Sequence, residues 1–222
     1  KNLKISSYTW QSTLENPKTA LLLHGWESNS ARWQKYIKGL HQAGFTVYAI
    51  DAPASGKSQG DRLNVILFSG VVKAFMAKKG TPDVIIGHSL GAAAAVMCTT
   101  MLEAPRPSRM VLLAVFAEST RVIRDFGHIL GVNDKVIHAI FKEVEKRSGI
   151  PIEAYSVAQK SALLQEVKGL VIHDFNDEVA PVAEGRLVAS TWKADFLQTE
   201  RLGHRLQDKS VVKAVVAFAS TT

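Results

Sequence analysis

Short apolar runs alternate with segments of helical spacing along most of this 222-residue chain. Six runs are apolar enough to be buried on both faces of a sheet, at residues 19–26, 45–51, 83–88, 109–116, 169–175 and 193–200. The segments between them, such as 31–43 and 63–79, carry apolar residues three and four apart, which is typical of helices. Strands that are apolar on both faces and separated by helices favour a mostly parallel sheet flanked by helices on both faces. The sequence therefore predicts a single α/β domain over residues 1–222.

Two segments depart from this alternation. Residues 5–10, ISSYTW, alternate between polar and apolar positions, which predicts an antiparallel edge strand. Between the fourth and fifth apolar runs lie about 50 residues, 117–168, with helical patterns where a crossover helix needs far fewer. We interpret 117–168 as a small helical cap inserted above the carboxyl ends of the strands, where open α/β sheets bind ligands. The alternative is one long, irregular crossover packed on a sheet face.

The segment DVIIGHSLGAAAAV, residues 83–96, places a serine between two glycines where a strand pattern changes into a helix pattern. Gly87-His88-Ser89-Leu90-Gly91 fits G-x-S-x-G, in which a nucleophilic serine projects from a sharp strand-to-helix turn. The residues two positions away must lack side chains because the strand and the helix otherwise collide. We therefore predict Ser89 to be a nucleophile; the alternative is a serine that only caps the helix.

A nucleophilic serine needs a histidine base, which in this strand order follows the serine and an acid along the chain. Four histidines follow residue 89: His128, His138, His173 and His204. The first two lie in the predicted cap, and His173 lies inside an apolar strand, where a buried, hydrogen-bonded ring is expected. His204 lies in a loop after the last strand, at the sheet edge where Ser89 is expected. We predict His204 to be the general base.

The orienting acid is sought in IHDFNDEVAP, residues 172–181. Asp177 lies in the loop beyond the strand and is free to reach His204, whereas Asp174 is nearly within the strand. We predict Asp177 to be the acid and keep Asp174 as the alternative. A structural role for Asp177 would be to cap its own loop through an Asx turn.

Two backbone N–H groups are needed to stabilise a developing oxyanion. Leu90, directly after the serine, supplies one. Gly25 allows a tight turn after the first long strand, so that the amide of Trp26 can supply the other; His24 is expected to be a structural hydrogen-bonding residue. The loop DAPASGKSQG, residues 51–60, lacks the spacing of a phosphate-binding P-loop and is interpreted as a structural turn.

These motifs, in this order, resemble the α/β-hydrolase fold family from about Thr19 to the end of the chain. The matching segments are Gly87–Gly91, His24-Gly25-Trp26, Asp51-Ala52-Pro53 with Gly56-Lys57-Ser58, Asp177 with Pro181, and Gly203-His204. The resemblance implies acyl transfer with Ser89 as nucleophile, His204 as base and Asp177 as acid. The chain departs from the family in the residues around Asp174, where many members have a glycine after the histidine. Its N-terminal part is also short, so early antiparallel strands of the family fold are expected to be reduced.

The expected function is a serine hydrolase, a carboxylesterase of small or medium esters, working through an acyl-enzyme without a metal or organic cofactor. The alternatives are other reactions of the same triad, such as those of a thioesterase, lactonase, C–C bond hydrolase or acyltransferase, and a non-catalytic hydrolase-like binding protein. The net charge of +7 is spread along the chain, so a small-molecule partner is expected rather than nucleic acid or a membrane interface. A cytoplasmic location is favoured because no signal or membrane-spanning segment is visible. The single cysteine, Cys98, excludes an internal disulfide, and the sequence does not indicate an oligomeric state.

Overall fold

The structure, a computed structural model, describes residues 3–103 and 105–221. Its centre is a seven-stranded sheet in the order β1-β3-β2-β4-β5-β6-β7, in which β1 pairs antiparallel with β3 and all other pairs are parallel. The strands are β1 (Ser7–Trp10), β2 (Thr19–Leu23), β3 (Thr46–Ile50), β4 (Val84–His88), β5 (Arg109–Leu113), β6 (Lys168–Asp174) and β7 (Asp195–Thr199). The α/β class, the mostly parallel sheet and the antiparallel edge strand are therefore confirmed.

Helices cover both faces of the sheet, as the apolar patterns predict. They are α1 (Gln34–Gln42), α2 (Val65–Lys79), α3 (Leu90–Thr100), α4 (Ser119–Ile129), α5 (Asp134–Ser148), α6 (Val157–Ser161), α7 (Val182–Trp192) and α8 (Lys209–Ser220). Among them, α1 and α8 pack on one face, and α2, α3 and α7 contribute to the core on the other. Successive residues of β2 show why both faces are apolar: Leu21 and Leu23 belong to one core, and Ala20 and Leu22 to the other.

Helix α3 is buried along most of its length because it lies against both the sheet and α2. Its four consecutive alanines, 92–95, are fully buried, which only small side chains allow at such close approach. Two strands are shorter than their apolar runs. For example, β5 ends at Leu113 because Ala114 adopts a left-handed backbone conformation (φ 50°) that turns the chain, although Val115 is still fully buried.

The segment 117–168 contains α4, α5 and α6, so its helical pattern is confirmed. Three of its buried residues, Ile137, Phe141 and Ile152, form a small apolar cluster separate from the two main cores. The segment joins the main fold where the Val157 amide donates to the Ala117 carbonyl (2.8 Å) and the Ser156 hydroxyl to Glu118 (2.7 Å). Its function as a cap stays a prediction. Across the described ranges, none of the helices is long and apolar enough to cross a membrane.

Candidate active site

Ser89 occupies the strand-to-helix turn that the sequence predicts. Strand β4 ends at His88 and helix α3 begins at Leu90, and Ser89 between them has φ 51° and ψ −118°. A side chain is disfavoured at such positive φ, so the conformation is strained. The Ser89 amide donates to the Leu113 carbonyl (2.9 Å), and the Ser89 hydroxyl makes no capping hydrogen bond to the helix. The structure therefore gives no support to the alternative in which Ser89 is only a helix cap.

Gly87 and Gly91 are required by close backbone approach on the two sides of this turn. A Cβ atom on Gly87 would lie 2.5 Å from the Ala92 Cα in the first turn of α3. A Cβ atom on Gly91 would lie 2.3 Å from the Leu23 carbonyl oxygen and 2.4 Å from that of His24. Because all three neighbours are backbone atoms, they cannot move aside as a flexible side chain could. The glycines therefore allow β2, β4 and α3 to meet at Ser89.

His204 and Asp177 form a pair in the structure. His204 lies in the loop between β7 and α8, and its Nδ1 is 2.8 Å from Oδ2 and 3.1 Å from Oδ1 of Asp177. The Asp177 side chain is fully buried, whereas 20% of the His204 side chain is exposed. With its Nδ1–H directed to the carboxylate, His204 keeps its Nε2 as a hydrogen-bond acceptor. This is the arrangement that an orienting acid and a general base require.

The two carboxylate oxygens of Asp177 have different partners. Oδ1 accepts the backbone N–H groups of Val179 and Ala180, both at 2.9 Å, and Oδ2 faces His204. The second histidine near Oδ2, His173, is 3.3 Å away. Burial acts to raise the pKa of Asp177, but the hydrogen bonds from His173, His204 and the Ala180 amide outweigh it and hold the pKa well below its usual range. Asp177 is therefore ionised at neutral pH and combines the Asx turn with the contact to His204.

Asp174, the alternative acid, is directed elsewhere. Its Oδ2 accepts the Thr199 hydroxyl (2.7 Å) and the Leu202 amide (3.0 Å), and its Oδ1 accepts the Asn176 amide (3.0 Å). These bonds fasten the end of β6 to the start of the loop that carries His204. Geometry thus brings Asp177, and not Asp174, to the histidine.

Ser89 and His204 are adjacent without a direct hydrogen bond in the described residues. Their connection runs through His88, whose Nε2–H donates to the His204 carbonyl oxygen (2.7 Å). The rings of His88 and His204 also meet edge to face, with centroids 4.9 Å apart. In the absence of substrate, catalytic hydrogen bonds are commonly long or poorly aligned. That these three residues act as a catalytic triad stays a prediction.

The two predicted oxyanion donors, the amides of Trp26 and Leu90, lie beside Ser89. In the parts of the chain that the structure describes, neither N–H has a hydrogen-bond acceptor. The carbonyl of the Gly25–Trp26 peptide accepts from Nδ1 of His24 (2.7 Å), and His24 Nε2 accepts the Ala52 amide (2.9 Å). Because N–H and C=O of a trans peptide point in opposite directions, His24 orients the Trp26 amide away from itself. Both ring nitrogens of His24 are thus used structurally, as expected.

Comparison with known proteins identifies the fold. A model of the alpha/beta hydrolase family matches residues 20–217 of this chain. The chain belongs to the α/β-hydrolase family. Two curated relatives of this hydrolase bear the name pimeloyl-[acyl-carrier protein] methyl ester esterase. The Vibrio parahaemolyticus protein is 30% identical over 68% of this chain, a match that spans 55% of the relative's own length. The Cronobacter sakazakii protein is 24% identical over 94% of this chain and 82% of the relative.

Solved structures share the same fold. The monoacylglycerol lipase of Paleococcus ferrophilus superposes with a TM-score of 0.72 at 18% identity and covers 98% of both chains. The enol-lactonase of Burkholderia xenovorans superposes with a TM-score of 0.71 at 19% identity, over 99% of this chain and 97% of the lactonase. At these identities the likeness shows the α/β-hydrolase fold alone.

The Trp26 side chain links the main fold of this hydrolase to the inserted segment. Its ring lies 4.9 Å, centroid to centroid, from that of Phe126 on α4. Both rings are partly exposed, Trp26 by 51% and Phe126 by 42%. A groove of about 520 Å³ beside Trp26 is lined by residues 26–28, 54–56 and 61–63. Ser89 and His204 do not line this groove, so it adjoins the site without containing the reacting atoms.

The loop 51–60 is a structural turn, as predicted. The Asp51 carboxylate accepts the Ser30 amide (2.8 Å), the Lys57 amide (2.9 Å) and the Tyr8 hydroxyl (2.9 Å). Burial acts to raise the pKa of Asp51, but these hydrogen bonds outweigh it and lower the pKa. Asp51 therefore ties the edge strand β1, this turn and the loop after β2 into one framework beside the site.

Two further expectations are confirmed. His173 is fully buried in β6, and its Nε2–H donates to the Ala180 carbonyl (2.7 Å). Cys98 is fully buried in α3, and burial raises the pKa of its thiol to about 12. Within residues 3–103 and 105–221, no group of three or more His, Cys, Asp and Glu side chains is arranged to hold a metal ion.

The sequence gives no indication of the contacts that His88, Arg32 and Tyr36 make around His204. Their side chains donate to backbone carbonyl groups of the His204 loop, more than 100 residues away along the chain. Such contacts follow no local periodicity and no motif spacing. Only the position of His88, directly before the serine, could have drawn attention to it.

Proposed function

We propose that this protein is a serine esterase that cleaves carboxylic esters through an acyl-enzyme. Ser89 Oγ attacks the ester carbonyl carbon while His204 Nε2 accepts the hydroxyl proton. His204 then donates this proton to the departing alcohol. Water attacks the acyl-enzyme with His204 again as base, and the released acid restores Ser89. No bound metal or organic cofactor enters this sequence of steps.

One observation carries the proposal: the strained Ser89 turn lies beside a histidine whose Nδ1 contacts a buried, ionised aspartate at 2.8 Å. Asp177 keeps the proton on Nδ1 of His204 and stabilises the imidazolium formed in each step. The amides of Trp26 and Leu90 are the proposed donors to the oxyanion, supported by their free N–H groups and by the N-terminus of α3 at the site.

The proposed substrates are methyl or other small-alcohol esters of small to medium acyl chains. The support is the name shared by the curated relatives, which act on the methyl ester of a pimeloyl group on an acyl-carrier protein. The inserted segment 117–168 is proposed to be a cap that bounds the acyl site, supported by the contact between Trp26 and Phe126. An acyl-carrier-protein ester is the more specific form of this proposal.

The test compares wild-type protein, Ser89→Ala and the matched surface variant Ser190→Ala on methyl esters of increasing acyl length, free and attached to acyl-carrier protein. We expect Ser89→Ala to lower kcat on the order of 10⁴-fold or more and Ser190→Ala to leave it unchanged. A fluorophosphonate probe should label wild type and Ser190→Ala but not Ser89→Ala. Undiminished hydrolysis or labelling in Ser89→Ala would refute the assignment of the nucleophile, and thioester or lactone turnover well above ester turnover would refute the substrate class.

A further inference from the structure

The loop that carries His204, residues 200–208, is held by side chains at four consecutive carbonyl oxygens. The donors are His88 Nε2 to the carbonyl of His204 (2.7 Å), Arg32 Nη2 to that of Arg205 (2.8 Å), Tyr36 Oη to that of Leu206, and Lys35 Nζ to that of Gln207 (3.1 Å). One bond runs in the other direction, from Gln207 Nε2 to the Arg32 carbonyl (3.2 Å). We call residues 200–208 the His204 loop.

The conformation of this loop needs such support. Leu206 is fully buried and has φ 48°, a left-handed conformation that residues with a Cβ atom seldom adopt. A conformation of this kind persists only when surrounding contacts determine it. The Tyr36 hydroxyl, itself buried, supplies a donor to the Leu206 carbonyl oxygen.

Three of the four donors come from one short segment. Arg32 lies in the 3-10 helix Ser30–Trp33, and Lys35 and Tyr36 lie in the first turn of α1, which follows directly. Residues spaced by three and four positions share one helix face, so these donors are directed to the same loop. The same stretch of chain begins at Trp26, the proposed oxyanion donor. Two parts of the proposed site are thus connected within about ten residues.

The fourth donor, His88, connects this loop to the nucleophile. It directly precedes Ser89, is 6% exposed and donates from Nε2, while its Nδ1 has no partner among the described residues. Burial is the main cause that holds the pKa of His88 well below its usual range, and the nearby charge of Arg32 adds to it. The ring therefore stays neutral with its proton on Nε2, and the hydrogen bond to the His204 carbonyl persists across neutral pH.

We infer that His88 and Tyr36 are positioning residues that set the place of His204 relative to Ser89. This inference rests on the proposed function, in which His204 is the general base. No hydrogen bond joins Ser89 to His204 in the described residues, so their spacing depends on how the loop backbone is fixed. Arg32 and the more exposed Lys35 extend the same support to residues 205 and 207.

The test uses Tyr36→Phe and His88→Leu, which each remove one donor, and His88→Gln, which keeps a side-chain N–H. Tyr48→Phe is the matched control, since Tyr48 lies on β3 and packs against Phe75 away from the loop. Two quantities are measured: kcat and KM on a methyl ester, and amide hydrogen exchange in residues 200–208. The melting temperature of each variant confirms that it is folded under the assay conditions.

We expect Tyr36→Phe and His88→Leu to lower kcat by about 10-fold or more, because a small displacement of a catalytic group is costly, with KM within about twofold. Exchange in the His204 loop should be faster in both. His88→Gln should recover part of kcat, and Tyr48→Phe should match wild type. Wild-type kcat and exchange in Tyr36→Phe and His88→Leu would overturn the inference, as would a loss of kcat without any change in exchange.

Failure of the proposed function gives a different result. If wild-type protein showed no Ser89-dependent hydrolysis, the esterase proposal would fail while the exchange measurement remained informative. Faster loop exchange in Tyr36→Phe and His88→Leu would still support the anchoring of the loop. Unchanged exchange would then overturn the inference as well.

Discussion

Replacing Asp177 by asparagine changes one oxygen to an NH₂ group in a site where the structure fixes which end goes where. The Oδ1 position faces the amides of Val179 and Ala180, both at 2.9 Å, so the asparagine must place its carbonyl oxygen there. Its NH₂ group then occupies the Oδ2 position, 2.8 Å from Nδ1 of His204. Two donors cannot face each other, so His204 must move its proton from Nδ1 to Nε2. In that tautomer it cannot accept a proton from Ser89.

The expected loss in kcat is about 10⁴-fold, or about 5 kcal/mol of transition-state stabilisation, because a wrong tautomer removes the base while the rest of the site stays in place. The cost in stability is smaller. The two loop amides keep an acceptor and His173 keeps the Ala180 carbonyl at 2.7 Å, so about one charge-assisted hydrogen bond is lost, worth about 1.5–3 kcal/mol. Asp177→Asn should therefore be folded and inactive.

The assay is kcat on a methyl ester together with urea denaturation, and the control is Asp174→Asn. Asp174 receives the Thr199 hydroxyl and the Leu202 amide and has no contact with His204, so its replacement should lower stability and leave kcat within about 10-fold of wild type. If Asp177→Asn retained kcat within about 10-fold of wild type, or if Asp174→Asn were the inactive variant, the assignment of the orienting acid would be wrong.

Two further predictions concern stability. Gly91→Ala should lower the free energy of unfolding by about 3 kcal/mol or more, since its Cβ would meet two backbone oxygens at 2.3 and 2.4 Å; Gly70→Ala, inside α2 with open space around its Cβ position, should instead raise it by about 0.5–1 kcal/mol, and equal effects in urea denaturation would refute the crowding argument. The free energy of unfolding should also fall as the pH is lowered from about 7 to 5. Burial lowers the pKa of His24 and His88 in the folded state, so the unfolded chain, with histidine pKa near 6.5, binds protons that the folded chain does not, by up to about 1.4 kcal/mol per pH unit for each histidine. His88→Gln should make this slope shallower, and a pH-independent stability would contradict the burial of neutral histidines.

Much of the architecture could be predicted because it depends on patterns within short stretches of chain. Apolar runs on both strand faces predict a covered parallel sheet, and the glycines two positions from Ser89 predict the crowded turn that the structure contains. The strand ends were less predictable. Ala114 and Leu206 adopt left-handed conformations without being glycine, so no residue type marks those turns in the sequence.

The choice between Asp174 and Asp177 shows a different limit. Both residues follow the same strand, and both are buried carboxylates with lowered pKa values. What separates them is direction: the Asp174 side chain fastens β7 and the start of the His204 loop, and Asp177 reaches the ring itself. The direction of a loop side chain depends on three-dimensional contacts, which residue order alone cannot supply.

Four histidines surround the site, and their partners separate one from the others. His24, His88 and His173 are buried, and each directs a ring N–H to a backbone carbonyl oxygen at 2.7 Å. A ring held in this way serves as a fixed donor, since giving up or turning that proton would leave a buried carbonyl unpaired. His204 alone among them is partly exposed and has a carboxylate as its principal partner, at 2.8 Å. A carboxylate stabilises the protonated ring, which a general base must form and then lose, so the nature of the partner and the exposure of the ring single out His204 for that role.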